Sequence, residues 1–482
     1  MLDRVRSPSP AHPPVSPPWL PWPLLLAGAA ALVRVPFLRL PLTPDEGGFL
    51  VVAGQWHPGS SLYGAYFVDR PPVLLGIFAA ADALGGGIAL RLIGMLAVVV
   101  AVLLAGRLGG TPAAAVAAVL LSSPLLGVME VDGELLAVPL VLGSFLLLVR
   151  SVRAVDGRAR YAELWAAGAL AAAAALVKQN LVDGFVVAAV LLVAPALGRS
   201  RRPWREAAAR AGSFAAGAAG TLLLVLGVAS TRGTGPAALW DAIVTFRADA
   251  AAVIDTSASS ATSTRFDALV VAALLAGLPL LAAGAVIGRR RPVADRALLV
   301  AALAVLAWET AGALLGGSYW HHYLIALVPG LVLLVTACGG GGRVTRVTTV
   351  LAAVSTGFAL SWSLTHPLHL GADQQVASYV RQHSRPGDTV VVAFGHADIV
   401  RETGLVSPYP YLWSLPVRVR DPHLEQLATV LGGADAPRWV VVDGDSLGTW
   451  GVDDRLAEPV LDARYREVSS VGDWRVLERV SG

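Results

Sequence analysis

A chain of 482 residues that is 55% hydrophobic and only 15% charged, with a mean hydropathy of +0.64, cannot be an ordinary water-soluble domain, in which roughly a quarter of residues are charged; it is an integral membrane protein. The net charge of +3 excludes little, because where charges fall matters more than their sum. The single cysteine, Cys338, lies in an apolar run and excludes an intrachain disulfide.

Residues 1–18, "MLDRVRSPSPAHPPVSPP", are proline-rich and basic and read as a disordered cytoplasmic tail. The apolar stretch behind them lacks a small-residue cleavage site and is followed by further spans, so it reads as an uncleaved first helix. About 20 apolar residues cross a bilayer core. That window predicts eleven transmembrane helices, near 19–39, 88–106, 112–131, 134–149, 163–180, 181–198, 211–229, 268–288, 297–316, 322–338 and 346–364. Basic clusters at Arg4/Arg6, Arg107, Arg150/Arg153/Arg158/Arg160, Arg199–Arg210, Arg289–Arg296 and Arg343/Arg346 fall on alternate connections. The positive-inside rule puts those connections in the cytoplasm. The first external loop (40–87), the connection 230–267 and the C-terminal region then face outward. Within that loop, "PPVLLGIFAAADAL" (71–84) is too short for a span and suits an interfacial or re-entrant helix.

After about residue 366 the pattern changes. "ADQQVASYVRQHSRPGDTVVVAFGHADIVRETG" reads as amphipathic helix, Pro-Gly turn, buried strand and helix, and "LEQLATVLGGADAPRWVVVDG" repeats the order helix, turn, strand. "YREVSSVGDWRVLERV" reads as a closing hairpin. The expected architecture is an all-α polytopic membrane domain (19–365) in the plasma membrane, with a small extracytoplasmic α/β domain (366–482). No glycine-rich phosphate loop follows a strand there, so nucleotide binding is not assigned.

Ionisable groups at membrane depth cost roughly 2.5–3.5 kcal/mol each and mark function. In this topology several meet on the outer side. "LTPDEGGF" places Asp45 and Glu46 behind the first span, "DRPP" places Asp69 and Arg70 at the end of the first external loop, and "EVDGELL" places Glu130, Asp132 and Glu134 between spans three and four. "VKQN" puts Lys178 and Gln179 at the end of span five, and "SYWHHY" puts His321, His322 and Tyr323 between spans nine and ten. Each has a structural alternative. Thr43-Pro44-Asp45-Glu46 is a capping box with Pro at the first helical position; Asp69-Arg70 is a surface pair ahead of a helix start; the acids at 130–134 are a solvated turn; Lys178 is a snorkelling lysine; Trp320 and Tyr323 are belt aromatics. A capping role and a catalytic role are compatible, since a helix start fixes a carboxylate in place.

An acidic pair after the first span, a basic residue before prolines in the same loop, an acid opening span four and a lysine ending span five resemble the GT-C membrane glycosyltransferases. The likeness is greatest to glycosyltransferase family 39, the protein O-mannosyltransferase and lipid A aminoarabinose transferase group. It spans about residues 20–340 and is carried by "DRPPVLLGIF", "LRLIGMLAVVVAVLLAGRLGG", "GELLAVPLVLGSFLLL", "ALVKQNLVDG" and "HHYLIALVPGLVLL". The resemblance implies inverting transfer of a sugar (mannose-like, or another hexose or pentose) from a polyprenyl-phosphate donor to a glycan, lipid or protein acceptor on the outer face. By position it implies Asp45 as the acceptor-activating base with Glu46 beside it, and Arg70 as a contact to the donor phosphate. Lys178, His321 and His322 would counter the phosphate's charge. Glu134, where an Asp is commoner, competes with Asp132 for the acidic position; with Asp69, Gln179 and Tyr323 these fall on the substrate side.

The chemistry is consistent, because a lipid phosphate is already a leaving group, so one base and cationic stabilisation suffice, without the second carboxylic acid of most glycoside hydrolases. A divalent cation is a candidate cofactor, but the chain has no compact ligand spacing for one. The rival reading is a transporter or flippase of lipid-linked sugars, which would want ionisable pairs at the midplane and repeated halves. Membrane lipids are expected neighbours; nucleic acid is not an expected partner.

Overall fold

The computed structural model describes residues 22–57, 59–153, 157–193, 204–256, 260–289, 296–366 and 371–480. The expected disordered tail, the start of the first expected span, the end of the sixth (194–198) and the basic runs 199–203 and 290–295 lie outside the described residues.

Of the described residues, 71% are helical. The membrane part comprises α1 (Trp22–Arg34), α2 (Pro44–Gly54), α3 (Pro72–Ala83), α4 (Gly87–Leu120), α5 (Gly133–Arg153), α6 (Gly157–Val177), α7 (Asp183–Ala188), α8 (Trp204–Thr231), α9 (Phe246–Thr256), α10 (Ser260–Leu275), α11 (Leu278–Ile287), α12 (Arg296–Leu315), α13 (Leu327–Ala337) and α14 (Arg343–Thr365). Among the described residues, six helical stretches are long and apolar enough to cross a membrane, against the eleven expected.

The difference has local causes. α4 covers two expected spans in one 34-residue element whose backbone leaves the helical region at Gly109 and Gly110, where Gly110 takes a φ of +71° that favours glycine. A Cβ on Gly106 would lie 3.5 Å from that of Ala114, whereas residues eight apart in a straight helix are separated by about 12 Å; the chain therefore doubles back at the Gly-Gly pair. α7 is only 6 residues, and the segment expected at 322–338 begins as 3₁₀ helix (His321–Ala326) before α13. α3, at 12 residues, is shorter than a span.

Leu222, Leu223 and Leu224 on α8 stay exposed, as expected of a helix whose neighbour is lipid rather than protein. Small residues let helices close: a Cβ on Gly217 of α8 would fall 1.8 Å from the carbonyl oxygen of Trp165 on α6, and one on Gly168 of α6 would fall 1.9 Å from that of Phe214 on α8. Backbones approach this closely in membranes only across glycine-like positions.

The C-terminal part follows as α15 (Gly371–His383), β1 (Val390–Ala393), α16 (Ala397–Thr403), α17 (Ser414–Arg420), α18 (Glu425–Gly432), β2 (Trp439–Asp443), α19 (Glu458–Arg464), β3 (Tyr465–Val471) and β4 (Trp474–Arg479). The sheet order is β1-β2-β4-β3, with β1 and β2 parallel and the other pairs antiparallel. The central strands are apolar on both sides because both faces are covered. Val390, Val392 and Val441 join a core with Val376 and Val380 of α15, while Val391, Val440 and Val442 join one with Leu427 and Leu431 of α18 and Leu461 of α19.

This part sits on the first loop. A Cβ on Gly47 of α2 would lie 2.4 Å from Cα of Asp398 on α16, and one on Gly48 would lie 2.3 Å from the Trp413 ring. The Phe67 amide donates to Pro410 O at 2.9 Å, and the Ser407 amide donates to the Tyr66 hydroxyl at 2.9 Å. Arg420 pairs with Asp241 at 2.7 Å, and the Leu62 amide donates to Thr234 Oγ1 at 2.5 Å. These contacts bring the first loop, the connection 230–267 and the C-terminal part together.

Candidate active site

The start of α2 is built by local spacing. Thr43 caps it by accepting from the Glu46 amide at 3.4 Å, and the Thr43 amide donates to Glu46 Oε2 at 3.1 Å, with Pro44 at the first helical position. The capping box is present, and tertiary structure adds to it. Arg91 of α4 donates to Glu46 Oε2 at 2.5 Å and the Val131 amide donates to Oε1 at 2.9 Å. The same guanidinium donates to the carbonyls of Phe37, Pro41 and Met129 at 3.0, 3.1 and 3.2 Å. Both oxygens of Glu46 are engaged and the residue is 1% exposed. Sealed in this way, the Glu46 carboxylate holds α2 to α4 and to the loop before α5.

Asp45, one residue earlier and on a different helix face, is half-buried. Trp413 Nε1 donates to its Oδ1 at 2.8 Å; among the described residues no side chain donates to Oδ2. Arg70 and His322 both lie within electrostatic range of Asp45.

Pro71 and Pro72 start α3 and fix the residues before it. Asp69 pairs with Arg70 at 2.6 Å and with Arg247 of α9 at 2.7 Å, and Gln179 Nε2 donates to the Asp69 carbonyl at 3.4 Å. Arg70 also lies over the Phe49 ring, 5.5 Å from its centroid, and Tyr63 donates its hydroxyl to the Arg70 carbonyl at 3.1 Å. Asp69 thus holds two guanidiniums.

Lys178, just past the end of α6, pairs with Glu134 in the first turn of α5 and lies 4.6 Å from the centroid of the Tyr323 ring. Tyr323 is thus packed beside the Lys178–Glu134 pair. Asp132 accepts from the Leu135 amide at 2.9 Å as a cap for α5, and His322 Nδ1 is 3.8 Å from its carboxylate. His321 is exposed; of the adjacent histidines it is His322 that faces this cluster. Arg70 is in electrostatic range of Tyr323 and Glu134 as well as of Asp45, and His322 of Glu134, Lys178, Asp45 and Arg70. Five separate segments are thus brought to one locus.

Asp132, Glu134 and His322 have ligating atoms within 4.8 Å of one another, a set that linear spacing does not reveal. The Lys178 ammonium already supplies the cation at Glu134, so these residues do not fit a metal ion well.

Several residues escaped the sequence reading. Arg91 and Glu309 were visible as lone charges in apolar helices. Glu309 is buried against Asp183, a second buried carboxyl. Arg247 and Trp413 carry no local signal, because only the fold brings them to Asp69 and Asp45.

No protein-family model and no curated protein matches the chain. Solved structures do. ArnT from Cupriavidus metallidurans, bound to undecaprenyl phosphate, aligns over 95% of this chain and 98% of its own, at 16% identity and a TM-score of 0.63. The oligosaccharyltransferase of Archaeoglobus fulgidus in the apo form aligns over 94% of this chain and 74% of its own, at 12% identity and a TM-score of 0.51. The chain has the fold of the GT-C membrane glycosyltransferases.

Proposed function

We propose that this protein is a membrane glycosyltransferase that moves a sugar from a polyprenyl-phosphate donor to an acceptor at the extracytoplasmic face of the plasma membrane. The observation that carries the proposal is that a half-buried carboxylate, Asp45, lies within electrostatic range of Arg70, which is in turn in range of Tyr323, the ring against which Lys178 sits. A fold shared with a protein captured on undecaprenyl phosphate supports the lipid-linked donor.

Asp45 takes the proton of the acceptor as its oxygen or nitrogen attacks the sugar C1, and the lipid phosphate leaves from the opposite face, so configuration inverts. Trp413 holds one oxygen of Asp45, leaving the other for the proton. Arg70 uses one N–H on Asp69 and keeps the rest of its five donors for phosphate oxygens. Lys178, held by Glu134, adds a second positive charge, and fixed charges in a site screened from water stabilise the developing phosphate dianion without reorganising. The polyprenyl tail runs between apolar helix faces. The first external loop, the connection 230–267 and the C-terminal part roof the site from the outer side, and the remaining expected spans complete the bundle.

The test is Asp45→Asn in membranes supplied with a labelled polyprenyl-phosphate sugar. A folded variant should lose about 10²–10⁴-fold in transfer, the usual worth of a positioned base. Transfer at the wild-type rate would remove Asp45 from the chemistry.

A further inference from the structure

The C-terminal part carries a second cluster of ligating side chains, apart from the site above. Asp373 comes from the first turn of α15, His396 from the loop after β1, and Asp398 from the first turn of α16. Their ligating atoms lie within 4.8 Å of one another. Trp474 Nε1 donates to Asp373 Oδ1 at 2.9 Å, which turns Oδ2 toward His396 Nδ1 at 3.3 Å. Asp398 Oδ1 is 4.0 Å from the same nitrogen. The Trp474 ring meets the imidazole edge-on, with centroids 4.8 Å apart, and fixes its plane.

A second observation separates this cluster from a simple ion pair. Asp398 is 4% exposed, and its Oδ1, aimed into the cluster, is buried with no hydrogen-bond partner; His396 Nδ1 faces it at 4.0 Å and has only the Asp373 carboxylate, at 3.3 Å, on its other side. Buried polar atoms in native structures are nearly always satisfied, and exceptions point to an ion or to function. Counter-charge is short as well. Among the described residues no lysine or arginine pairs with Asp373 or Asp398, in contrast to Glu134, which holds Lys178. Asp443, at the end of β2, adds a third carboxylate within electrostatic range of His396. The cluster lies beyond the carboxyl ends of the parallel strands β1 and β2, the edge at which open α/β sheets bind ligands.

We propose that Asp373, His396 and Asp398 bind a divalent transition-metal ion, with one imidazole nitrogen, two carboxylate oxygens and a fourth position left to water. One nitrogen and two oxygens suit Zn²⁺ or Mn²⁺ and disfavour Ca²⁺ and Mg²⁺, which take oxygen ligands. On binding, the ion replaces any proton on Nδ1 and satisfies Asp398 Oδ1. Because α16 packs directly on Gly47 of α2, the ion would also fasten the C-terminal part to the helix that bears Asp45.

The experiment strips the purified full-length protein in detergent with a chelator, reloads it with limiting Zn²⁺, and measures bound zinc per chain and thermal unfolding. The expected result is one zinc that Asp398→Asn and His396→Gln retain on the order of 100-fold less tightly, at least what loss of an outer partner costs a metal site. Zinc should raise the unfolding temperature of the wild type and of neither variant. Asp373→Asn, which keeps an oxygen for Trp474, serves if the more buried variants fail to fold. His322→Ala should keep the zinc. The proposal is overturned if the wild type retains no zinc, if folded variants at these three positions retain as much as the wild type, or if His322→Ala is the variant that loses it.

Discussion

Glu46→Gln distinguishes a structural carboxylate from a catalytic one. The substitution keeps the shape and one acceptor oxygen, so either the Val131 amide or the Arg91 guanidinium still finds an oxygen, but the charge facing Arg91 is gone. Unit charges 2.5 Å apart attract by about 7 kcal/mol at an effective dielectric of 20. Desolvation of both groups offsets part of this, and leaving one partner of a buried pair uncompensated costs about 3–5 kcal/mol in practice. Arg91 retains three carbonyl acceptors, which puts the expected loss near the lower end, about 3 kcal/mol. The assay is thermal unfolding in detergent of Glu46→Gln, Arg91→Met and the double variant, with sugar transfer measured well below the transition. The single variants should each melt several degrees early, and the double should lose less than their sum, since removing both charges leaves none unpaired. If Glu46→Gln melts with the wild type yet transfers no sugar, Glu46 acts in the reaction and the structural assignment fails.

Other outcomes follow from the same geometry. Trp413→Phe keeps the ring beside Phe49 (5.3 Å between centroids) but removes the hydrogen bond to Asp45; one bond to a charged group, worth about 1.5–3 kcal/mol, corresponds to at least a roughly tenfold fall in kcat, with donor KM little changed. Arg70→Lys keeps the charge but loses the planar fork, so donor KM should rise by roughly tenfold or more in initial-rate measurements while the protein stays folded. Gly217→Leu puts a side chain where 1.8 Å separates a Cβ from the Trp165 carbonyl; yield of monodisperse protein should collapse. Gly220→Leu, whose Cβ meets only the Trp165 ring edge at 4.0 Å, should be tolerated.

Spacing within one helical turn is a local property, and what depends on it could be read directly from the chain. Thr43, Pro44 and Glu46 form the capping box their order implies, and Gly109-Gly110 followed by Pro112 interrupts the apolar run where the hydropathy divides it. The order of helices and strands after residue 371 follows the alternation of amphipathic and buried segments. Hydropathy was a weaker guide to length. It cannot distinguish a helix that spans the bilayer from one that breaks into a short turn and a 3₁₀ segment, as at Asp183–Ala188 and His321–Ala326.

The sequence by itself determined that this chain lives in a membrane, which residues start its helices, and which loops carry charge, because those follow from side-chain transfer energies and from contacts at most four residues apart. Only the tertiary structure decided which charges meet. Glu46 finds Arg91, Asp69 finds Arg247, and Asp45 finds Trp413 from 368 positions away. Buried charges and donors must be satisfied by whatever partner packing delivers, and that partner is chosen by the path of the whole chain, which no short window contains.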